Sequence, residues 1–206
     1  MMKKLLPIAM CAVLCGCGET TVVDLNNEKE VAAMQNVMEL EYRDWTATAE
    51  KMTKSMLASG AFSRVKNPVI AMGNIKNDTM QRFDTDILTK KIRTTLINSG
   101  RAQVTTSFEN FGPAEDGTTY AVRSTRGNAE YDASTIVSPG TLVAPNMSLS
   151  GKMLQRNLKL QSGWFSSVDT RVEYYLQMTL TDVKTGLALW EDEQPIVKEG
   201  DHAPTW

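Results

Sequence analysis

Between residues 170 and 183 apolar and polar side chains alternate, with Val172, Tyr174, Leu176, Met178 and Leu180 on one side of an extended backbone. A half-buried β-strand has this period of two, and at about 3.3 Å per residue the segment is roughly 45 Å long. Such a strand needs a neighbour on each edge and a layer over its apolar face. Lys184-Thr185-Gly186 predicts a tight turn, and residues 187–197 return antiparallel with Leu187, Leu189 and Glu191 alternating. Pro195 marks that returning strand as an edge, or as the point where its pairing ends. Residues 148–161 predict a third strand, joined to the long one by a loop over 162–169.

The covering layer comes from upstream. Asp44 is placed to cap a helix over 45–57, with Trp45, Ala49, Met52, Met56 and Leu57 on one face and Glu50, Lys51 and Lys54 turned outward. Ser59-Gly60 stops it. Pro68 opens an apolar strand over 69–75. Asp84 or Thr85 then caps a second helix, carrying Ile87, Leu88, Ile92, Leu96 and Ile97 and ending at Asn98-Ser99-Gly100, and 102–108 predicts another strand. Residues 110–146, with four glycines and three prolines, predict mostly irregular loop with some helix. The expected fold is α/β: a small compact α/β sandwich whose mixed sheet ends in an antiparallel hairpin, with helices packed against it.

The amino terminus predicts an address. Lys3 and Lys4 precede an apolar run over 5–14, too short at about 15 Å of helix to span a bilayer, and Leu14-Cys15-Gly16-Cys17 follows. This pattern is similar to a bacterial lipobox, with cleavage between Gly16 and Cys17 and acylation of the Cys17 thiol. Cys11 and Cys15 would leave with the leader, so the mature chain would keep one cysteine, at its first position, and form no internal disulfide. Gly18 rather than Asp after that cysteine implies sorting to the outer membrane, facing the periplasm. Residues 17–43 would form a lipidated tether, in which Val31, Met34, Val37 and Met38 suit a short amphipathic helix. The domain would occupy 44–200, with a tail at 201–206.

Composition narrows the chemistry. With 22 Lys+Arg against 24 Asp+Glu, a basic nucleic-acid binder is excluded, and losing Lys3 and Lys4 makes the mature chain slightly more acidic. The single histidine, His202, argues against His-rich metal sites and His-centred triads. Ser63-Arg64-Val65-Lys66 has S-x-x-K spacing and Lys184-Thr185-Gly186 spells K-T-G, but Ser63 follows a helix stop and precedes Pro68, so neither residue sits where penicillin-recognising chemistry needs it. The segment around Gly151-Lys152 lacks the glycine and hydroxyl positions of a P-loop, so no cofactor is expected. Glu191-Asp192-Glu193 reads as charged strand edge and Asp84 with Asp86 as helix capping, so no metal site is expected and no catalytic residue is assigned. Most of the twelve methionines fall at apolar positions of helices or strands and read as core filling. Trp164-Phe165, two large aromatics in a Gly/Ser loop, is the candidate partner contact.

An ordered set of segments carries a resemblance. Residues 49–57, Gly73-Asn74-Ile75-Lys76-Asn77, Asp84-Thr85, Ile92-Arg93 and Leu96-Ile97-Asn98-Ser99-Gly100 begin it, and Ser148-Leu149-Ser150-Gly151-Lys152, Leu180-Thr181-Asp182, Thr185-Gly186 and Trp190 continue it. Over residues 44–198 the chain resembles the LpoB family, lipoprotein activators of penicillin-binding proteins. The resemblance implies a non-catalytic α/β domain on an outer-membrane lipid anchor. It would dock on a non-catalytic domain of a bifunctional peptidoglycan synthase, a class A penicillin-binding protein, and stimulate glycan polymerisation and cross-linking. The alternative is an assembly or secretion lipoprotein with a curli-pore-subunit-like core, which needs two long lipid-facing strands that polar residues 110–146 do not offer.

Overall fold

The computed structural model describes residues 23–25, 27–33, 38–108, 116–159 and 170–200. The chain divides into two units, 1–35 and 36–206. In the first, α1 (Glu28–Ala33) starts behind Asn27, whose side-chain oxygen accepts the Lys29 N–H while its amide donates to Glu30 at 2.7 Å. Of the four residues expected on an amphipathic helix here, Val31 is in α1, Met38 is not helical, since α1 ends at Ala33 and α2 starts only at Tyr42, and Met34 and Val37 lie outside the described residues.

The second unit has two layers. Its sheet contains β1 (Val69–Asp78), β2 (Gln103–Thr105), β3 (Met147–Lys159), β4 (Thr170–Asp182) and β5 (Ala188–Gly200), in the order β2-β1-β3-β4-β5. β1 runs parallel to β2 and β3, while β3, β4 and β5 form an antiparallel meander. The expected mixed sheet with a terminal hairpin is therefore present. Pro195 sits opposite Tyr175 on the edge strand, and pairing runs past it to Gly200. β2 is shorter than the expected 102–108, because its parallel register engages only Val69–Ala71 of β1.

Helix α2 (Tyr42–Ala58) lies against β5 and α3 (Asp86–Ser99), and α3 against β1 and β2. The α2 start corrects one expectation: Glu41 is the N-cap, and Asp44 sits one turn in, accepting the Glu41 N–H at 2.8 Å to complete a capping box. Trp45, Ala49, Met52 and Met56 are buried as the periodicity requires, and Leu57 packs at the rim. On α3 the buried row is Leu88, Ile92 and Leu96, spaced by four; Ile87 and Ile97, one residue outside that row, are about half exposed. Of the two candidates for the start of α3, Thr85 is the N-cap, without a side-chain cap bond, and Asp84 just before it accepts the Asp86 N–H at 2.9 Å.

On the sheet, Val172, Tyr174, Leu176, Met178 and Leu180 are all buried under the helices, together with Met147, Leu149, Met153, Ile70 and Ile75. Five of the twelve methionines (Met52, Met56, Met147, Met153, Met178) lie in this core with essentially no exposure. Trp45 meets Phe83 edge-on at 4.4 Å, and the buried Trp190 indole donates to Ser55 Oγ at 3.2 Å, tying β5 to α2. Gly151 is needed for close approach: a Cβ there would stand 2.5 Å from the Gln177 carbonyl oxygen on β4. A register shift between Met72 and Ile75 lies opposite this point on β3.

Candidate docking surfaces

Residues 38–41, just before α2, are held by three side chains from distant parts of the second unit. The Gln81 amide accepts the Leu40 N–H at 2.8 Å and donates to the Leu40 carbonyl at 3.3 Å. Tyr174 on β4 donates to the Met38 carbonyl at 3.2 Å, and Lys198 on β5 donates to the Glu39 carbonyl at 2.6 Å. The same ammonium lies 2.6 Å from Asp44 and 3.7 Å from Glu41, whose Oε2 also accepts from both Nε and Nη2 of Arg43. Burial, followed by the nearby charges of Glu39 and Asp44, pushes the Tyr174 hydroxyl well above the usual phenol range, so it stays a donor. No local pattern announces this cluster, since its members come from four separate parts of the chain: 38–44, Gln81, Tyr174 and Lys198.

The helix-free face of β3, β4 and β5 buries no side chain. Cross-strand polar pairs cover it: Arg156 with Glu173 at 3.8 Å, Arg171 with Glu199 at 2.6 Å, and Gln177 with Glu193 at 2.6 Å. Leu154, Tyr175 and Pro195 form an apolar row across it in direct register. Alternation splits Glu191-Asp192-Glu193: Glu191 and Glu193 are exposed on this face, whereas Asp192 points the other way. Among the described residues no group of three or more His, Cys, Asp or Glu could hold a metal. The β3–β4 ladder closes at Lys159 opposite Thr170, so Trp164 and Phe165 belong to the connection between them. Both lie outside the described residues, as do Gly16 and Cys17.

A third surface is the lobe formed by 116–146, which includes α4 (Thr118–Arg123). Residues 116–144 contain no buried residue, and Tyr120, Val122, Tyr131, Val137, Leu142 and Val143 are exposed. Polar contacts hold the lobe instead. Asp116 accepts from the Thr118 N–H and the Thr119 hydroxyl, Tyr120 donates to the Ser107 carbonyl, and Asn146 bonds the Val69 N–H at 2.9 Å. Arg126 donates to the carbonyls of Val137 (2.7 Å) and Ser138 (3.1 Å), and Arg123 to the Thr141 hydroxyl. A cavity of about 250 Å³ opens between Tyr120, Arg123, Arg126, Pro139, Gly140 and Leu142. Over the described residues 116–146 the expected mostly irregular loop with some helix is present, α4 being the helix, while 110–115 lie outside the described residues. Nothing in the sequence pattern marks Arg123 and Arg126, since α4 ends at Arg123 and the loop that brings Val137 to Leu142 back to them has no local signature.

The tempting catalytic fragments are structural. Ser63 is in a 3₁₀ turn (Ala61–Arg64) and donates to the Gly60 carbonyl at 2.7 Å. Lys184-Thr185-Gly186 is the β4–β5 turn, where Gly186 supplies a φ of 72° and Asp182 accepts the Lys184 N–H. Among the described residues no helix is long and apolar enough to cross a membrane.

The family profile described as "Peptidoglycan-synthase activator LpoB" matches residues 44–196, from the first turn of α2 nearly to the end of β5. The chain belongs to the LpoB family. Among solved structures it is similar to the LpoB C-terminal domain from Salmonella enterica, at 16% identity and a TM-score of 0.43, over 74% of this chain and 98% of that one. For the LpoB C-terminal domain from Escherichia coli the values are 14% and 0.42, over 74% and 98%. A PelC dodecamer from Paraburkholderia phytofirmans gives 17% and 0.33, over 67% and 75%. Membership rests on the LpoB profile rather than on these likenesses. No curated protein matches the chain.

Proposed function

We propose that this LpoB-family chain is a non-enzymatic lipoprotein that docks on a class A penicillin-binding protein from the periplasmic face of the outer membrane and raises its peptidoglycan synthesis. The supporting observation is the span of the family profile, which takes in α2, α3 and the strands β1 to β5. In this reading acylation of Cys17 holds the mature chain at the membrane, and more than one acyl chain makes that attachment stable. The second unit is the working part. Activation requires that it bind the active synthase conformation better than the idle one; a coupling of about 1–3 kcal/mol gives roughly 5- to 150-fold stimulation. Trp164 and Phe165, in the connection between β3 and β4, are the aromatic anchors proposed for this contact.

The test is capture of purified class A synthases by the full chain in detergent, with glycan polymerisation and cross-linking measured alongside. Saturable binding with a rise in polymerisation supports the reading, and binding without any rise refutes the activator role. Mass spectrometry of the chain purified from membranes tests the anchor. Diacylglycerol-type mass on the peptide beginning at Cys17, lost in Cys17→Ser, is the expected result; an unmodified secreted chain refutes it.

A further inference from the structure

The lobe at 116–146 presents two cations in one small cavity. Arg123 and Arg126 are both half-buried, both line the cavity, and neither pairs with a carboxylate among the described residues. Arg126 is held by two hydrogen bonds and Arg123 by one. Arg126 spends Nε and Nη2 on the carbonyls of Val137 and Ser138, and Arg123 spends Nη2 on Thr141, which leaves the Nη1 amine of each without a partner among the described residues. Each such bond restricts the side chain, Arg126 more than Arg123, so an incoming acceptor meets a donor that is already partly ordered. Two half-desolvated like charges also favour an anion between them.

The walls select which anion. Pro139, Leu142 and the Tyr120 ring surround the arginines with apolar surface, which suits a carboxylate on a short aliphatic stem better than a compact, strongly hydrated dianion. Exposed Val122 and Val143 adjoin these lining residues in sequence, and Tyr131 and Val137 are exposed elsewhere in the lobe. Apolar side chains around a charged pocket favour a protein segment over a free small molecule. We infer that the cavity between Arg123 and Arg126 receives a Glu or Asp side chain from an acidic, partly apolar segment of the synthase, making the lobe part of the docking surface. This rests on the function proposed above, and the test separates the two.

The full chain in detergent micelles is titrated with the peptide acetyl-Leu-Glu-Glu-Leu-amide and with its Gln-for-Glu counterpart, while the arginine Nε–Hε resonances are followed by NMR. In parallel, synthase affinity is measured for the wild type, Arg123→Gln, Arg126→Gln and Arg126→Lys, with the lobe's amide spectrum as a check of folding. The expected result is a Glu-specific shift at Arg123 and Arg126, with a loss of about five- to tenfold in synthase affinity for each Gln variant. Arg126→Lys keeps the charge and should lose less. Equal shifts with both peptides, or none, overturn the pocket. Unchanged synthase affinity in both Gln variants overturns the synthase as its source, even if the peptide binds. If the wild type binds no synthase, the proposed function and the assigned occupant fail together, while the peptide titration still judges the pocket.

Discussion

Replacing Lys198 by Met keeps the aliphatic stem and removes one charge from the cluster in front of α2. Its ammonium contacts Asp44 at 2.6 Å, Glu41 at 3.7 Å and the Glu39 carbonyl at 2.6 Å, and the side chains of Lys198, Glu41 and Asp44 are only 11%, 12% and 15% exposed. Removing one partner of a fully buried ion pair costs about 3–5 kcal/mol, and of an exposed pair below about 1 kcal/mol. Here the carboxylates keep some support, since Asp44 still accepts the Glu41 N–H and Glu41 still faces Arg43. A loss of about 2–3 kcal/mol is therefore expected, because two neighbouring carboxylates lose their shared cation and a carbonyl loses its donor. For a domain of this size that lowers Tm by roughly 4–12 °C. Urea unfolding of Lys198→Met, Asp44→Asn and the double variant measures both the loss and the coupling. A coupling above about 1 kcal/mol that persists in 1 M salt is expected, because partly buried charges are screened little. A loss below about 0.5 kcal/mol, or zero coupling, refutes the reasoning.

Gly151→Ala should destabilise by about 1–3 kcal/mol in urea unfolding, because its Cβ would meet the Gln177 carbonyl oxygen at 2.5 Å, backbone that moves only with the sheet. Tyr174 should ionise later than the exposed tyrosines in an alkaline titration read by tyrosinate absorbance. Its raised pKa favours the folded state up to about pH 10, the unfolded phenol value, and that contribution fades as pH climbs further; Tyr174→Phe should abolish the late step. Trp190→Phe and Ser55→Ala should each cost about 1 kcal/mol through the lost 3.2 Å hydrogen bond, with sub-additive effects when combined. Replacing Trp164 and Phe165 together by Ser should weaken synthase capture while leaving Tm unchanged; unchanged binding removes them as anchors.

What could be read from sequence followed the range of the forces involved. Alternation fixed the buried face of β4 because burial on a pleated strand recurs every second residue, and Gly186 with its neighbours marked the turn to β5. The four-residue spacing of Leu88, Ile92 and Leu96 marked the inner face of α3, but Ile87 and Ile97 showed that apolar identity alone does not assign a side chain to the core. Asp44 marks the start of α2 but as the inner half of a capping box, so a reading that makes it the N-cap sets the helix start one turn late. The expected β2 runs on to Phe108 because the strand-compatible Thr106, Ser107 and Phe108 cannot report where a parallel partner stops. The cluster joining Met38 to Tyr174 spans 136 positions, and the arginine cavity depends on a loop folding back, so neither left a periodic trace.

The grip on residues 38–41 determines how the sheet experiences tension. A tug arriving from the amino-terminal side meets the Tyr174 bond at Met38 first, then the Lys198 bond at Glu39 and then the Gln81 pair at Leu40. Two adjoining strands and the loop that follows β1 therefore stand between such a load and α2, each holding its own residue of the segment.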